Sequence, residues 1–159
     1  MGSRVAAKGL IAAALLAVLA GGAGAACRDD IVELRGDWGE ARFHVELADT
    51  AAERAQGLMF REEMSRNAGM LFVYPWPQRV TFWMKNTLIP LDMIFADARG
   101  TVRHVHQNAV PEDLTPIPGG DDILVVLEIN GGLAGALGIA PGSEIRHPAL
   151  DRDTAAWPC

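Results

Sequence analysis

Reactive side chains in this sequence are most concentrated at residues 82–93, where Lys85, Asn86, Thr87 and Asp92 interrupt an otherwise apolar run. A carboxylate set among such neighbours must be hydrogen-bonded, paired or placed at a cleft, because burying it alone is costly. Asp92 therefore has two readings. It either accepts backbone amides and stiffens its own turn, as Asn and Thr also do in turns, or it contacts a ligand. Glu128, in the apolar run 123–129, poses the same question. Arg54 and Arg61 flank residues 57–60 and suit a carboxylate or another anion, unless they only offset an acidic surface. The candidate ligand-binding set is thus Arg54, Lys85, Asn86, Thr87, Asp92 and Glu128. In a hydrolase or transferase, Asp92 or Glu128 would act as general base, and Lys85 or an arginine would stabilise developing negative charge.

Other chemistries have thinner support. His104 and His106 share one face of a strand and would chelate a metal if Glu128 or Asp92 approached as a third ligand; otherwise they are an ordinary polar strand face. Met59, Met64, Met70, Met84 and Met93, with Trp83, offer thioethers of the kind that bind Cu(I) in a copper carrier, although methionine is equally an adaptable core filler. The mature chain has only two serines, Ser65 and Ser143, and neither lies in a Gly-x-Ser-x-Gly turn. Gly119-Gly120 runs into Asp121-Asp122 rather than a helix start, so no phosphate loop is present and no cofactor is expected.

The elements that must position these residues are mostly short strands. Residues 41–47 alternate, with Phe43, Val45 and Leu47 on one face and Arg42, His44 and Glu46 on the other, as in a half-buried strand. Further strands are expected at 31–35, 69–74, 79–84, 91–97, 101–107, 123–129 and 143–146. Asp97 to Gly100 is a hairpin turn, and Pro75 and Pro77 mark a tight connection around Trp76. Thr50-Ala51-Ala52-Glu53 is a capping box opening a helix that Gly57 stops. A weaker helix lies between Asn130 and Gly138. Residues 108–122 read as a long loop, either functional or a plain strand crossover. The expected fold is mainly β (α+β), a compact antiparallel β-sandwich or barrel-like domain with two short helices.

Residues 1–26 combine a basic start (Arg4, Lys8), an apolar stretch and an Ala-Gly-Ala end, the pattern of a signal peptide cleaved near Ala25 or Ala26. Residues 27–159 then form a single domain, periplasmic or secreted, with no transmembrane segment after cleavage. Losing Arg4 and Lys8 takes the formal charge from -6 to -8. Such a domain repels phosphate backbones, so nucleic acid is not an expected partner. In an oxidising compartment Cys27 and Cys159 favour a disulfide joining the two ends. The competing chemistry, a lipid anchor on Cys27, wants Leu three residues upstream, where Gly24 stands.

Three segments resemble the domain-of-unknown-function family 192: residues 53–61 (Glu53 to Arg61), residues 68–73 (Ala68 to Val73) and the long block 82–95 (Phe82 to Phe95). Val126 to Gly132, Leu137-Gly138-Ile139 and Pro141-Gly142 continue the likeness, which spans about 43–146. The resemblance implies a compact, mostly β domain with short helices, but no activity and no catalytic residues. The chemistry of the residues themselves favours an exported, non-enzymatic binding or accessory domain for a small polar or anionic ligand. An enzyme using Asp92 or Glu128 and a periplasmic copper carrier stand as the alternatives.

Overall fold

The computed structural model describes residues 26–159, so the predicted signal segment, Ala26 apart, lies outside the described residues. Seven strands and two helices follow one another as β1 (Ile31–Gly36), β2 (Gly39–Ala48), α1 (Ala51–Gln56), β3 (Ala68–Phe82), β4 (Leu91–Asp97), β5 (Val102–Ala109), β6 (Ile117–Asn130), α2 (Leu133–Leu137) and β7 (Glu144–Arg146). They form one curled sheet in the order β5-β4-β6-β3-β2-β1-β7. Its edge strands approach at one end, where Thr101 bridges Glu144 and the Val102 amide donates to the Ser143 carbonyl at 2.8 Å. The fold is thus mainly β and half-barrel-like, with two short helices.

Local chemistry explains the elements. Thr50 caps α1 by accepting from the Glu53 amide, and the Glu53 carboxylate accepts in return from the Thr50 amide at 3.0 Å. The Asp97 carboxylate accepts the amides of Arg99 and Thr101 and pairs with Arg103, which shapes the β4–β5 hairpin. In β2, Phe43 and Val45 point inward while Arg42, His44 and Glu46 stay exposed, as their alternation requires.

Three features differ from the sequence expectation. The strands expected on either side of Pro75 and Pro77 are one strand, β3, whose register against β6 shifts between Val73 and Gln78. Proline lacks the donor a ladder needs, so the exposed bulge takes both prolines out of pairing. The sheet is not wholly antiparallel, because β2 and β3 pair in parallel; α1 and the segment behind it carry the chain back to start β3 in the same direction. The long loop also shrinks to residues 110–116, since β5 runs to Ala109 and β6 starts at Ile117. Gly119 permits that early start: a Cβ there would stand 2.3 Å from the Phe95 ring.

Apolar side chains pack on both faces of the sheet. Leu71, Ile94, Leu127 and Ile129 join Val32, Phe43 and Ile145 inside the curl. Met70, Phe72, Met93, Phe95 and Val126 pack on the outer face with Leu58, Met84 and Ile117. Residues of β4 are buried throughout, which is why β4 and β6 read as continuous apolar runs.

Cys27 and Cys159 are disulfide-bonded, with Cα atoms 5.7 Å apart. A lipid on Cys27 would need the same sulfur. The C-terminal tail lies along the β1–β7 pair, and its Trp157 ring receives Arg35 at 4.5 Å and Arg146 at 5.5 Å. The bond closes a loop of 132 residues, for which chain entropy allows up to about 4–5 kcal/mol of stabilisation. We expect reduction, or the Cys27→Ser/Cys159→Ser double variant, to lower the urea midpoint by an amount within that ceiling. Intact mass should fall short of the reduced form by two hydrogens; free alkylation of Cys159 in the unreduced protein would show that the ends are not joined.

Candidate functional site

Glu128 sits near the middle of the outer face on β6, opposite Met70 of β3 and Met93 of β4. It is only 4% exposed. Among the described residues no hydrogen bond and no ion pair reaches its carboxyl group. Burial alone accounts for its titration, pushing the carboxyl up to about 8. The group borders a small cavity of about 40 Å³, enclosed by Arg54, Thr87, Phe72, Phe82 and Trp83 together with residues 55–59.

Irregular segments at 57–66 and 83–90 border this cavity, and backbone bonds lock them to each other and to the segment 110–116. The Phe60 amide donates to the Asn86 carbonyl at 2.8 Å, Glu112 to Thr87 at 3.0 Å, and Met84 to Asp113 at 2.9 Å. Phe60, Asn86 and Glu112 all adopt positive φ, at 64°, 52° and 61°. A bulky Phe in that region is strained, and such strain persists only where surrounding contacts over-determine it. Gly57, at φ 51°, closes α1 directly over Phe72, whose ring would stand 3.1 Å from a Cβ there. Phe60 and Trp83, 66% and 49% exposed, form an apolar rim.

The candidate residues divide by face. Arg54, Thr87 and Glu128 line the cavity. Arg54 is already engaged: its guanidinium donates to the carbonyls of Asp49 and Val73 and lies 5.2 Å over the Tyr74 ring. Thr87 is buried, and its hydroxyl donates to the Lys85 carbonyl at 3.2 Å, which leaves its oxygen able to accept. Lys85 and Asn86 stand at the roof, Lys85 with its ammonium 5.1 Å from the Trp83 ring and Asn86 donating weakly to the Met59 sulfur at 3.9 Å. Arg61 is held away by a two-pronged pair with Glu46.

Asp92 lies on the opposite, inner face. Its pairing partner is Ile129, a neighbour of Glu128 that points the other way. Fully buried, it accepts the amides of Asn108 at 2.7 Å and Gly132 at 2.9 Å on one oxygen, and that of Ala134 at 2.7 Å on the other. It fastens the end of β5 and the start of α2 to β4, so it does not share the patch of Lys85 and Asn86.

His104 stacks on Phe95 at 5.6 Å. His106 falls in the same cross-strand row as Glu128, but Met93 stands between them, two strand spacings or roughly 10 Å. Among the described residues no group of three or more His, Cys, Asp or Glu could hold a metal ion. Met70, Met84 and Met93 are buried within the outer apolar cluster. The aromatic walls Phe72 and Phe82 escaped the sequence reading, because apolar residues in a strand carry no signal that tells cavity wall from core.

Fold and site together define a curled, mostly β domain with a buried carboxyl beneath interlocked loops. The chain belongs to DUF192, described as an uncharacterized ACR family, whose model matches residues 32–147. A protein of unknown function from Novosphingobium aromaticivorans DSM 12444 has a similar crystal structure, 50% identical with a TM-score of 0.71 over 72% of this chain and 82% of that one. A second, from Sinorhizobium meliloti 1021 and provisionally described as a transcription regulator, is 38% identical with a TM-score of 0.74 over 80% of this chain and 99% of that one. No match is found among curated proteins.

Two substitutions separate the two acids. Asp92→Asn places an amide nitrogen where backbone donors point and should cost about 2–3 kcal/mol in denaturant unfolding. Glu128 should behave oppositely. Its carboxyl ionises near 4.5 when unfolded and near 8 when folded. Between these values the folded state keeps a proton that the unfolded state has lost. Stability therefore falls as pH rises through that window, and the full deficit stands above pH 8. Glu128→Gln should remove this slope and exceed the parent at pH 9 by at least about 1 kcal/mol, several degrees in melting temperature. Unfolding curves for both variants at pH 5, 7 and 9 check this; parallel pH profiles for Glu128→Gln and the parent would contradict it.

Proposed function

We propose that this domain is an exported, non-enzymatic binding module that takes a small polar ligand, or one polar group of a larger molecule, into the Glu128 cavity. The observation that carries this reading is the carboxyl of Glu128, buried against an open space with nothing bonded to it. With no partner among the described residues, its oxygens face the cavity, and a ligand seated there would complete their hydrogen bonds. Thr87 would contribute an acceptor and Phe72, Phe82 and Trp83 the walls, while Arg54 holds the α1 side of the site against β3. The strained backbone at Phe60 supports the same view, since strain of this kind concentrates at ligand clamps.

Export rests on the signal-like start and agrees with the disulfide. No helix among the described residues is long and apolar enough to cross a membrane. Transcriptional regulation, suggested for the Sinorhizobium protein, does not suit a chain of formal charge -6 with no block of basic residues.

One observation favours catalysis instead: a carboxyl held near 8 is poised to exchange protons at neutral pH. Against it, Arg54 is committed to backbone carbonyls, and the cavity offers no other cation to stabilise developing negative charge.

A thermal-shift panel on the mature domain tests the reading, with short amines, amides, alcohols, sugars and carboxylates at millimolar concentration. At least one class should raise the melting temperature in a saturable way. The shift should vanish in Glu128→Gln, and the compound should be recovered unchanged by NMR. No shift from any class would overturn the proposal, as would a shift that survives Glu128→Gln; chemical conversion of the compound would favour the enzyme.

A further inference from the structure

We infer that the group this cavity accepts is a protonated primary amine: an alkylammonium head whose nitrogen sits between the Glu128 carboxylate and the Thr87 hydroxyl oxygen, against the faces of Phe72, Phe82 and Trp83. The inference rests on the binding-module reading and specifies its ligand class.

The buried polar groups with free capacity in the lining are acceptors, while Gln56 and the Trp83 indole N–H add donors. Glu128 offers two oxygens, neither engaged. Thr87 has already given its hydroxyl proton to the Lys85 carbonyl, so toward the cavity it presents lone pairs. Arg54, the charged donor among the lining residues, has turned its guanidinium to two backbone carbonyls and the Tyr74 ring. Its charge does not figure among the influences on Glu128 titration, which is governed by burial alone. A carboxylate or phosphate ligand would therefore find no uncommitted cation to match its charge. A neutral alcohol or amide could donate only one or two protons. An ammonium donates three and brings the counter-charge that Glu128 lacks.

The walls point the same way. Phe72 and Phe82 meet edge to face at 5.1 Å, and Trp83 completes the apolar side. Aromatic faces attract cations through their quadrupole, and the rim already shows it, with the Lys85 ammonium 5.1 Å from the Trp83 ring. Size also fits. A space of about 40 Å³ holds a small group such as an ammonium head. The half-exposed Trp83 then lies along an aliphatic stem that leaves the cavity.

Binding should couple to the proton on Glu128. The charged and titratable groups around it are Arg54 on α1, Tyr74 on β3 and Lys85 in the roof. Tyr74 is itself pushed upward by burial and by Glu128, so it stays neutral in the relevant range. An ammonium selects the ionised carboxylate, so near pH 7 each binding event should expel close to one proton, and apparent affinity should rise roughly tenfold per pH unit below 8.

Isothermal titration of the mature protein with n-butylammonium tests this, in two buffers of different ionisation enthalpy and at pH 6, 7, 8 and 9. Nα-acetyl-lysine methylamide, n-butanol and butyrate serve as comparison ligands. The expected result is amine binding with proton release at pH 7, tightening by one to two orders of magnitude between pH 6 and 9. Glu128→Gln should abolish it, and Trp83→Ala, a half-exposed position that the fold tolerates, should weaken it roughly three- to thirty-fold. Preference for the blocked lysine would indicate lysine side chains of a protein partner; preference for butylammonium would indicate free amines. Equal binding of n-butanol, or binding of butyrate without the amine, would overturn the amine assignment while leaving a binding module in place; unchanged amine binding in Glu128→Gln would overturn both. Silence from all four ligands would overturn the assignment too, and only a silent wider panel would remove the binding module with it.

Discussion

The rest of this structure depends on the double-sided burial of β3, β4 and β6. Their side chains alternate between two apolar clusters rather than between core and water. Curling the sheet satisfies the inner cluster, because β1, β2 and β7 wrap it and residues of α2 plug the end. The outer cluster has no second sheet to lie against. It is covered instead by irregular chain at 57–66 and 83–90, which supplies Leu58, Met64, Met84 and Ile89. Irregular chain cannot match the packing density of paired sheets, so this cover carries its own backbone bonds, its left-handed residues and a cavity. Desolvation of Glu128 follows directly: it stands on the outer face of a central strand, at the place where the cover is thin enough to leave space.

Asp92 and Glu128 show how one sheet handles two buried acids. They lie on neighbouring strands, one step apart in register and on opposite faces. Asp92 receives three backbone amides, which satisfy both of its oxygens. Glu128 receives none and takes up a proton instead. The first arrangement is architecture, joining three elements through one side chain. The second leaves valence unused, which is how sites differ from scaffolds.

Much of this could be read in the residues before the fold was known. Alternation placed β2, the capping box placed α1, and the Asp97 to Gly100 turn placed the β4–β5 hairpin, because each depends on neighbours within a few positions. The parallel β2–β3 pair and the fusion of two expected strands into β3 depend on partners far along the chain, and local pattern is silent about them. The site was legible as a set of types but not as a constellation. Arg54, Thr87 and Glu128 share a cavity although 74 positions separate the first from the last. Asp92, which has the strongest local claim, belongs elsewhere for a reason of parity: one step along a strand reverses the face. Lys85 and Asn86, adjacent to Thr87, reach only the roof.

The cystine at the ends gives the domain the connectivity of a ring. With Cys27 and Cys159 joined, a single cut in an exposed connection, such as the bulge at Trp76 or the segment after Val110, opens that ring without dividing the molecule. The nicked chain is a circular permutant of itself, with new termini at the cut and every strand still tethered to its neighbours. Damage at one loop then becomes a change of connectivity rather than the loss of half the sheet.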